Sequence, residues 1–224
     1  MEEIIVFGNG NISKILSIYL KKKFNIIAYA SKKKFIKSKN FNNRPIYSIE
    51  RLKKKFSPKK YKLIIAIGYL EMNNVRQNIF ENLKSEGYKF VNYIDNSVQI
   101  PNDLTIKENN FLLDNVSINP GSSIGNGNII WSNSVISHNV KLNNFNWVSS
   151  GTVISGESSI GNCNFFGSNS IISNNSLIGN SIFIGAGTLI TGKIKNESTI
   201  INTTSKKIKI KSLDFLKYLK NEQK

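Results

Sequence analysis

One histidine, His138, is the residue of this chain best suited to acid–base chemistry. Imidazole changes its protonation near neutral pH, so a single exposed imidazole can remove a proton from an alcohol or amine that attacks a thioester. A metal site would need several histidine or cysteine ligands, and the chain has one histidine and one cysteine, Cys163. The composition therefore favours general-base chemistry at His138 and predicts no metal.

A six-residue repeat in the second half of the chain predicts where this histidine lies. A branched or bulky apolar residue stands at every sixth position from Ile100 to Ile190. This period is typical of a parallel β-helix, whose coils have three flat faces with one apolar residue pointing inward from each face. Three faces make a coil of about 18 residues, so residues about 18 apart are predicted to stack, in roughly five or six coils.

His138 stands two residues after the inward Ile136, at a predicted corner of the coil. Small or turn-forming residues fill most of the equivalent positions, and a corner side chain points toward solvent or a neighbouring subunit. Gly156 is predicted directly above His138, where its backbone N–H could bind an oxyanion. Glu157, which stacks above Asn139, is either an orienting carboxylate or a solvated acid.

The first part of the chain alternates predicted strands and helices, which indicates a small Rossmann-like α/β domain with a parallel sheet. The strands are predicted at residues 3–7, 25–30, 62–67 and 89–93, and the helices at 12–22, 48–55 and 71–86. Ser48 is the predicted N-cap of the second helix.

A glycine-rich turn after the first strand predicts a phosphate site. In open α/β sheets, ligands bind at the carboxyl ends of the strands, where glycines let backbone N–H groups approach phosphate. Ser13 replaces the third glycine of a dinucleotide fingerprint, and no acid ends the second strand. A mononucleotide or a diphosphate therefore fits better than NAD, although the glycines could also simply form a turn. The candidate substrate-binding residues on this rim are Gly8, Gly10, Lys32 and Gly68.

The net charge of +17 is concentrated outside the repeat. Residues 1–94 carry a net charge of +14 and residues 205–224 carry +5, whereas residues 95–204 carry −2. The lysine runs have few interleaved aromatic residues and almost no arginine, so we interpret most of this charge as solvated, with a smaller contribution to attracting phosphorylated ligands. Nucleic acid is therefore not a predicted partner.

The sequence has no run of 18 apolar residues, so no membrane span is predicted, and its N-terminus does not look like a signal peptide. We therefore expect a cytoplasmic protein. We divide the chain into an α/β domain at residues 1–94, a β-helix at 95–204 and a tail at 205–224. Residues 212–221 have the pattern of a short amphipathic helix that would cap the last coil.

Several stretches of the chain resemble the sugar acyltransferases of the sialic acid O-acetyltransferase type, which include bacterial N-acetyltransferases of nucleotide-linked amino sugars. These stretches are Gly8-Asn9-Gly10-Asn11, Ala66–Asn73 with Arg76, Asn92-Tyr93-Ile94, and Ile136-Ser137-His138 followed by Ile154-Ser155-Gly156. The resemblance implies a left-handed β-helix with hexapeptide repeats, a homotrimer, and acetyl-CoA as co-substrate.

The resemblance also implies roles for individual residues. The nucleotide sugar would bind around Gly10, Asn11 and Ile12 and reach His138 at a subunit interface. Acetyl-CoA would run along the cleft between two β-helices, near Gly156, Ser168 and Ala186. Trp147 stands where many members have a second histidine, and it either stacks on a ligand or packs at the trimer interface.

These observations predict an acetyl-CoA-dependent acetyltransferase. Its predicted reaction is the N-acetylation of a nucleotide-activated amino sugar in the biosynthesis of a bacterial surface glycan such as lipopolysaccharide or capsule. Two alternatives remain at this stage. One is O-acetylation of a sugar such as sialic acid, and the other is a binding or scaffold protein whose catalytic residues have eroded.

Overall fold

The structure is a computed structural model that describes residues 1–203, 209, 211 and 212. Nearly all of the predicted C-terminal capping helix falls outside these residues, so it stays a prediction. Within the described residues, no helix combines the length and the apolar character that a membrane crossing would need.

A six-stranded sheet forms the centre of the N-terminal domain, which confirms the predicted Rossmann-like α/β fold. Its strands are β1 (Glu2–Phe7), β2 (Phe24–Ser31), β3 (Asn40–Phe41), β4 (Arg44–Ser48), β5 (Lys62–Ile65) and β6 (Lys89–Phe90). They lie in the order β3-β4-β2-β1-β5-β6, and the pairs are parallel except for the β3–β4 hairpin, which the sequence did not predict. The helices are α1 (Asn11–Leu20), α2 (Ile49–Lys55) and α3 (Asn74–Ser85), and a short 3-10 helix spans Lys33–Phe35.

Local sequence explains most of these elements. The residues of β1 from Ile4 onward and of β5 from Leu63 onward are buried, as expected for parallel strands covered on both faces. Ser48 caps α2 as predicted, because its hydroxyl accepts a hydrogen bond from the N–H of Arg51 at 3.4 Å. The strand predicted at residues 89–93 is split, because β6 pairs with β5 whereas the following residues join the next domain.

The second domain is the predicted left-handed parallel β-helix, built from two-residue strands. These strands, β7 to β24 in chain order, are Tyr93–Ile94, Thr105–Ile106, Phe111–Leu112, Ser117–Ile118, Ser123–Ile124, Ile129–Ile130, Val135–Ile136, Lys141–Leu142, Trp147–Val148, Val153–Ile154, Ser159–Ile160, Phe165–Phe166, Ile171–Ile172, Leu177–Ile178, Phe183–Ile184, Leu189–Ile190, Lys193–Ile194 and Thr199–Ile200.

The strands form the three faces of a triangular prism. The docked face, which meets the N-terminal domain, contains β7, β9, β12, β15, β18, β21 and β24. The apolar face contains β10, β13, β16, β19 and β22, and the lysine face contains β8, β11, β14, β17, β20 and β23. Each of the latter two faces is named for residues whose side chains point outward from it.

Stacking follows the predicted spacing. Val135 pairs with Val153 in the next coil, 18 residues further along the chain. The last coil is shorter, because Leu177 pairs with Lys193. The inward residues at every sixth position from Leu112 to Ile190 form one buried hydrophobic cluster, as predicted.

Ile100 departs from the predicted inward series, because its side chain is 43% exposed. It lies in the connection between β7 and β8, one coil below β10, where the apolar face has no strand among the described residues. Val98 and Leu104 pack against the first coil of the core. The repeat in the sequence therefore begins before the first complete coil.

A second inward position, which the sequence analysis did not identify, carries small polar side chains. Between the lysine face and the docked face, Asn110, Asn128, Asn146 and Asn164 form a buried ladder. Each side-chain oxygen accepts a hydrogen bond from the backbone N–H of the residue 18 positions later, at 2.8 to 3.0 Å. The ladder satisfies N–H groups that would otherwise be buried without an acceptor.

The two domains pack together through the docked face. Its outward side chains include Phe111, Ile129 and Trp147, which are buried in the same hydrophobic cluster as α1 and the sheet. Because the β-helix is a triangular prism, the edge between the apolar and lysine faces lies opposite the docked face. His138 follows β13 of the apolar face and lies on that opposite edge.

Candidate functional site

A cavity of about 880 Å³ lies at the carboxyl ends of β1, β2 and β5. The six predicted substrate-binding residues all line it, namely Gly8, Gly10, Asn11, Ile12, Lys32 and Gly68. The structure therefore brings this part of the predicted site together on one rim, where ligands bind in open α/β sheets.

Backbone geometry requires a glycine at position 8 but not at position 10. Gly8 has a φ of 140°, and a Cβ atom there would lie 2.4 Å from the carbonyl oxygen of Ala66, so no larger residue fits. Gly10 is the N-cap of α1, and a Cβ there would meet open space. No side chain caps α1, and its first turn contains no acid. Free N–H groups at a helix end of this kind attract anions.

Lysines surround this helix end. Lys32 follows β2 and is exposed on the rim, as expected, and Lys34 and Lys37 line the same cavity. The sequence did not predict these last two as site residues, because most of the lysine charge was interpreted as solvated. Phe35 and Phe41 also line the cavity. The arrangement suits a ligand with several negative charges and a flat, partly apolar group.

The imidazole of His138 is exposed and lies across the backbone of the next coil, as predicted. A Cβ atom at Gly156 would lie 2.5 Å from both Cε1 and Nε2 of the imidazole, so the ring occupies the space left by the missing side chain. Within the described residues, the N–H of Gly156 has no hydrogen-bond acceptor. The backbone N–H of Glu157 donates a hydrogen bond to the carbonyl oxygen of His138. Among the described residues, the carboxylate of Glu157 makes no hydrogen bond to the imidazole.

The predicted acetyl-CoA residues lie on two different edges of the prism. Gly156 shares the edge of His138, whereas Ser168 and Ala186 are exposed on the edge between the docked and apolar faces. His138 is not among the residues that line the cavity of the N-terminal domain. Within one chain, the predicted catalytic base and the predicted substrate site are therefore far apart.

Trp147 packs inside the chain, neither on an open ligand surface nor at an outer interface. It is 5% exposed, and its ring lies 5.5 Å from that of Trp131 and 5.1 Å from that of Tyr69, measured between centroids. The expectation of ligand stacking or trimer packing at this position is therefore wrong, because the N-terminal domain covers the ring.

Arg76, the last residue of the family-like stretch in α3, is fully buried between the domains. Its guanidinium donates hydrogen bonds to the carbonyl oxygens of Gly127 at 2.7 Å and Phe145 at 3.2 Å, and to the side chain of Asn73 at 2.7 Å. Burial lowers the pKa of Arg76 to about 9, so the group remains charged at neutral pH. Arg76 therefore joins the two domains.

Two family models match the chain. The PglD N-terminal domain matches residues 3–83, and the bacterial transferase hexapeptide repeat matches residues 103–138. A search of curated proteins finds no match.

Solved structures with a similar fold cover both domains. The acetyltransferase domain of PglB from Neisseria gonorrhoeae FA1090, in complex with acetyl coenzyme A, has 20% sequence identity and a TM-score of 0.79, over 92% of this chain and 99% of that chain. A mutant of perosamine N-acetyltransferase from Caulobacter crescentus, in complex with CoA and GDP-perosamine, has 20% identity and a TM-score of 0.81, over 92% and 96%. WeeI from Acinetobacter baumannii AYE has 16% identity and a TM-score of 0.61, over 89% and 97%.

At these identities the solved structures establish the fold. The family matches fall on the two domains in the order that the motifs predict. The chain therefore contains a segment that matches the PglD N-terminal domain, followed by a segment that matches the hexapeptide repeats of bacterial transferases.

Proposed function

We propose that the protein transfers an acetyl group from acetyl-CoA to the amine of a nucleotide-activated amino sugar. The observation that carries this proposal is the cavity with its uncapped helix end, set among lysines on the rim of the sheet. Its volume lies within the range of about 300–1,000 Å³ that is usual for sites of small molecules. The free N–H groups and the lysines suit a diphosphate, and the adjoining aromatic side chains suit the nucleobase of a nucleotide.

The apolar face supports a homotrimer. Its outward side chains Val135, Val153, Ile171 and Leu189 stack in one row, and the last two are 44% and 64% exposed. A contiguous apolar row on a surface favours a contact with another protein surface, and identical chains most often assemble with cyclic symmetry. We place three apolar faces around a threefold axis.

This arrangement would assemble the site from two protomers. Around a threefold axis, the edge of His138 in one protomer meets the edge between the docked and apolar faces of the next. Gly156 would then lie on one side of a cleft for acetyl-CoA, and Ser168 and Ala186 on the other. The second protomer's N-terminal domain, which covers its docked face, would bring its cavity beside His138.

In such a site, the imidazole of His138 removes a proton from the amine as the nitrogen attacks the carbonyl carbon of the thioester. The unoccupied N–H of Gly156 donates a hydrogen bond to the oxyanion that forms. The C–S bond then breaks, CoA leaves as a thiol after taking up a proton, and the sugar carries an amide. Perosamine N-acetyltransferase, which shares the fold, supports an amine as the acceptor.

Mixed trimers test this proposal. We expect His138→Ala, which removes the base, and Gly10→Asp, which places a carboxylate at the helix end, each to abolish thiol release from acetyl-CoA with amino-sugar nucleotides. Coexpressing the two variants should restore activity at about a quarter of the sites, because those sites combine an intact histidine with an intact cavity. Gly10→Ala, which adds a methyl group without charge and cannot cap the helix, is the matched control.

Two results would contradict the proposal. Mixed trimers without any recovered activity would mean that the site does not combine two protomers. A wild-type protein that releases no thiol with any amino-sugar nucleotide would favour the binding or scaffold alternative.

A further inference from the structure

The turn between β5 and α3 has an unusual backbone. Glu71, Met72 and Asn73 are consecutive residues with positive φ angles of 50°, 48° and 67°. Single left-handed residues recur at the corners of the β-helix, but a run of three non-glycine residues occurs nowhere else in residues 1–203. Such conformations are costly and persist only where the surrounding contacts hold them.

The contacts that hold this turn come from the β-helix. The side-chain amide of Asn73 donates to the carbonyl oxygen of Asn164 at 3.1 Å, and its oxygen accepts from Arg76 at 2.7 Å. Arg76 also donates to the carbonyl oxygen of Gly127. The edge between the lysine and docked faces therefore fixes the backbone of a turn whose other side borders the cavity.

Tyr69 is the aromatic side chain that this turn presents to the cavity. Its ring centroid lies 5.1 Å from that of Trp147 and 4.6 Å from that of Phe165, and the residue remains 47% exposed. A ring that is already held on one side loses little conformational freedom when a ligand packs on the other. Tyr69 is therefore a preformed surface for the apolar face of a ligand ring.

The order of the strands indicates which part of the ligand meets Tyr69. The helix end that suits a diphosphate follows β1, and in this kind of sheet the ribose of a nucleotide extends toward the end of the neighbouring β2. Phe35 and Phe41 line that side of the cavity. The group beyond the diphosphate then lies on the opposite side, over β5, which is followed by Tyr69. In a nucleotide sugar this group is the sugar.

We infer that Tyr69 is the platform on which the sugar ring of the nucleotide sugar packs. Asn73 and Arg76 are positioning residues that hold this platform through the strained turn. The inference rests on the proposed function, and it adds the residue by which the cavity distinguishes a nucleotide sugar from the nucleotide alone.

Calorimetric titration tests the inference, with UDP, GDP and dTDP as probes beside their sugar conjugates. We expect Tyr69→Ala to weaken binding of the sugar conjugate by about tenfold or more, since it removes the platform, and to leave the affinity for the matching diphosphate unchanged. Tyr69→Phe keeps the ring and should retain the wild-type affinity for both. Asn73→Gly keeps a backbone that tolerates positive φ but loses the side-chain contacts, and it should raise KM for the sugar conjugate more than it lowers kcat.

The outcomes separate the inference from the proposed function. Equal losses for a diphosphate and its sugar conjugate, no loss for either, or a Tyr69→Phe variant as weak as Tyr69→Ala would overturn the platform. If the wild-type protein binds none of the diphosphates, the proposed function fails, and the inference fails with it.

Discussion

The position of the His138 imidazole depends on the absence of a side chain at position 156. We expect Gly156→Ala to lower kcat by about 10- to 100-fold, because the added methyl group would lie 2.5 Å from Nε2 and must displace the ring. Steady-state kinetics of thiol release would measure the change, and thermal unfolding would show that the β-helix is retained.

A double mutant provides the control for this effect. Any residual thiol release of His138→Ala, measured at high enzyme concentration, should change little when Gly156→Ala is added, because the ring that it displaces is already absent. A full additional loss in the double mutant would show that Gly156 acts independently of His138, for example through its N–H group alone.

For single residues, the sequence predicts the relative positions of those that belong to the same repeat. Gly156 was placed above His138 from their separation alone. The environment of Trp147 could not be predicted in this way, because it depends on how a separate domain docks on the β-helix. Lys34 and Lys37 were missed for a related reason, since nothing in a run of lysines distinguishes those that border a cavity from those that face solvent.

A polar cluster anchors α1 to the start of the β-helix. Asp95 is buried and accepts hydrogen bonds from the hydroxyl of Tyr93 at 2.8 Å and the ammonium of Lys22 at 3.2 Å. Desolvation opposes ionisation of Asp95, but these bonds and those from Ser97 outweigh it and hold its pKa well below the usual range. Lys22 also lies 3.6 Å from Asp114. The charge on Asp95 therefore contributes to the packing of helix against coil.

This cluster predicts an acid-sensitive element. Because the folded protein holds the Asp95 proton less tightly than the unfolded chain, its stabilising effect is complete above the unfolded pKa of about 4 and is lost as the pH falls below it. We expect Asp95→Asn to lower the free energy of unfolding at pH 7 and to reduce its decline between pH 5 and pH 3. Urea unfolding at several pH values would measure both effects.

Glu3→Gln is a suitable control, since it removes the same charge from an exposed position in β1. A steep decline at low pH that survives in Asp95→Asn would assign the acid sensitivity to other carboxylates.

The sequence predicts secondary-structure elements well where a single hydrophobic period runs through them. It predicts them poorly where consecutive residues pair with strands of different domains. The six-residue repeat correctly predicts the inward residue of nearly every strand of the β-helix. The apolar run at residues 89–93 reads as one strand, yet β6 pairs within the first domain and β7 begins the second. The β3–β4 hairpin was missed because β3 has two residues, too few for an alternating pattern.

The arrangement of the whole molecule follows from the different outward residues of the three faces. The docked face has large side chains such as Phe111 and Trp147, which the N-terminal domain covers. The outward positions of the lysine face include Lys141 and Lys193 and remain in solvent. The apolar face, with Ile171, has neither cover nor charge at these positions. An assembly that buries the apolar face would bring His138 of one chain beside the cavity in the N-terminal domain of another.

One pair of substitutions tests this assembly. Ile171 on the apolar face and Leu177 on the lysine face are outward residues of strands that are consecutive in the chain, with exposures of 44% and 49%. We expect Ile171→Asp to dissociate the trimer and abolish acetyl transfer, because it buries an unpaired charge at the proposed threefold interface. Leu177→Asp, the matched control, should stay trimeric. Light scattering coupled to gel filtration would measure the mass, which should be about three times the 25.2 kDa of one chain. A trimer that survives Ile171→Asp but dissociates with Leu177→Asp would place the lysine face at the threefold axis.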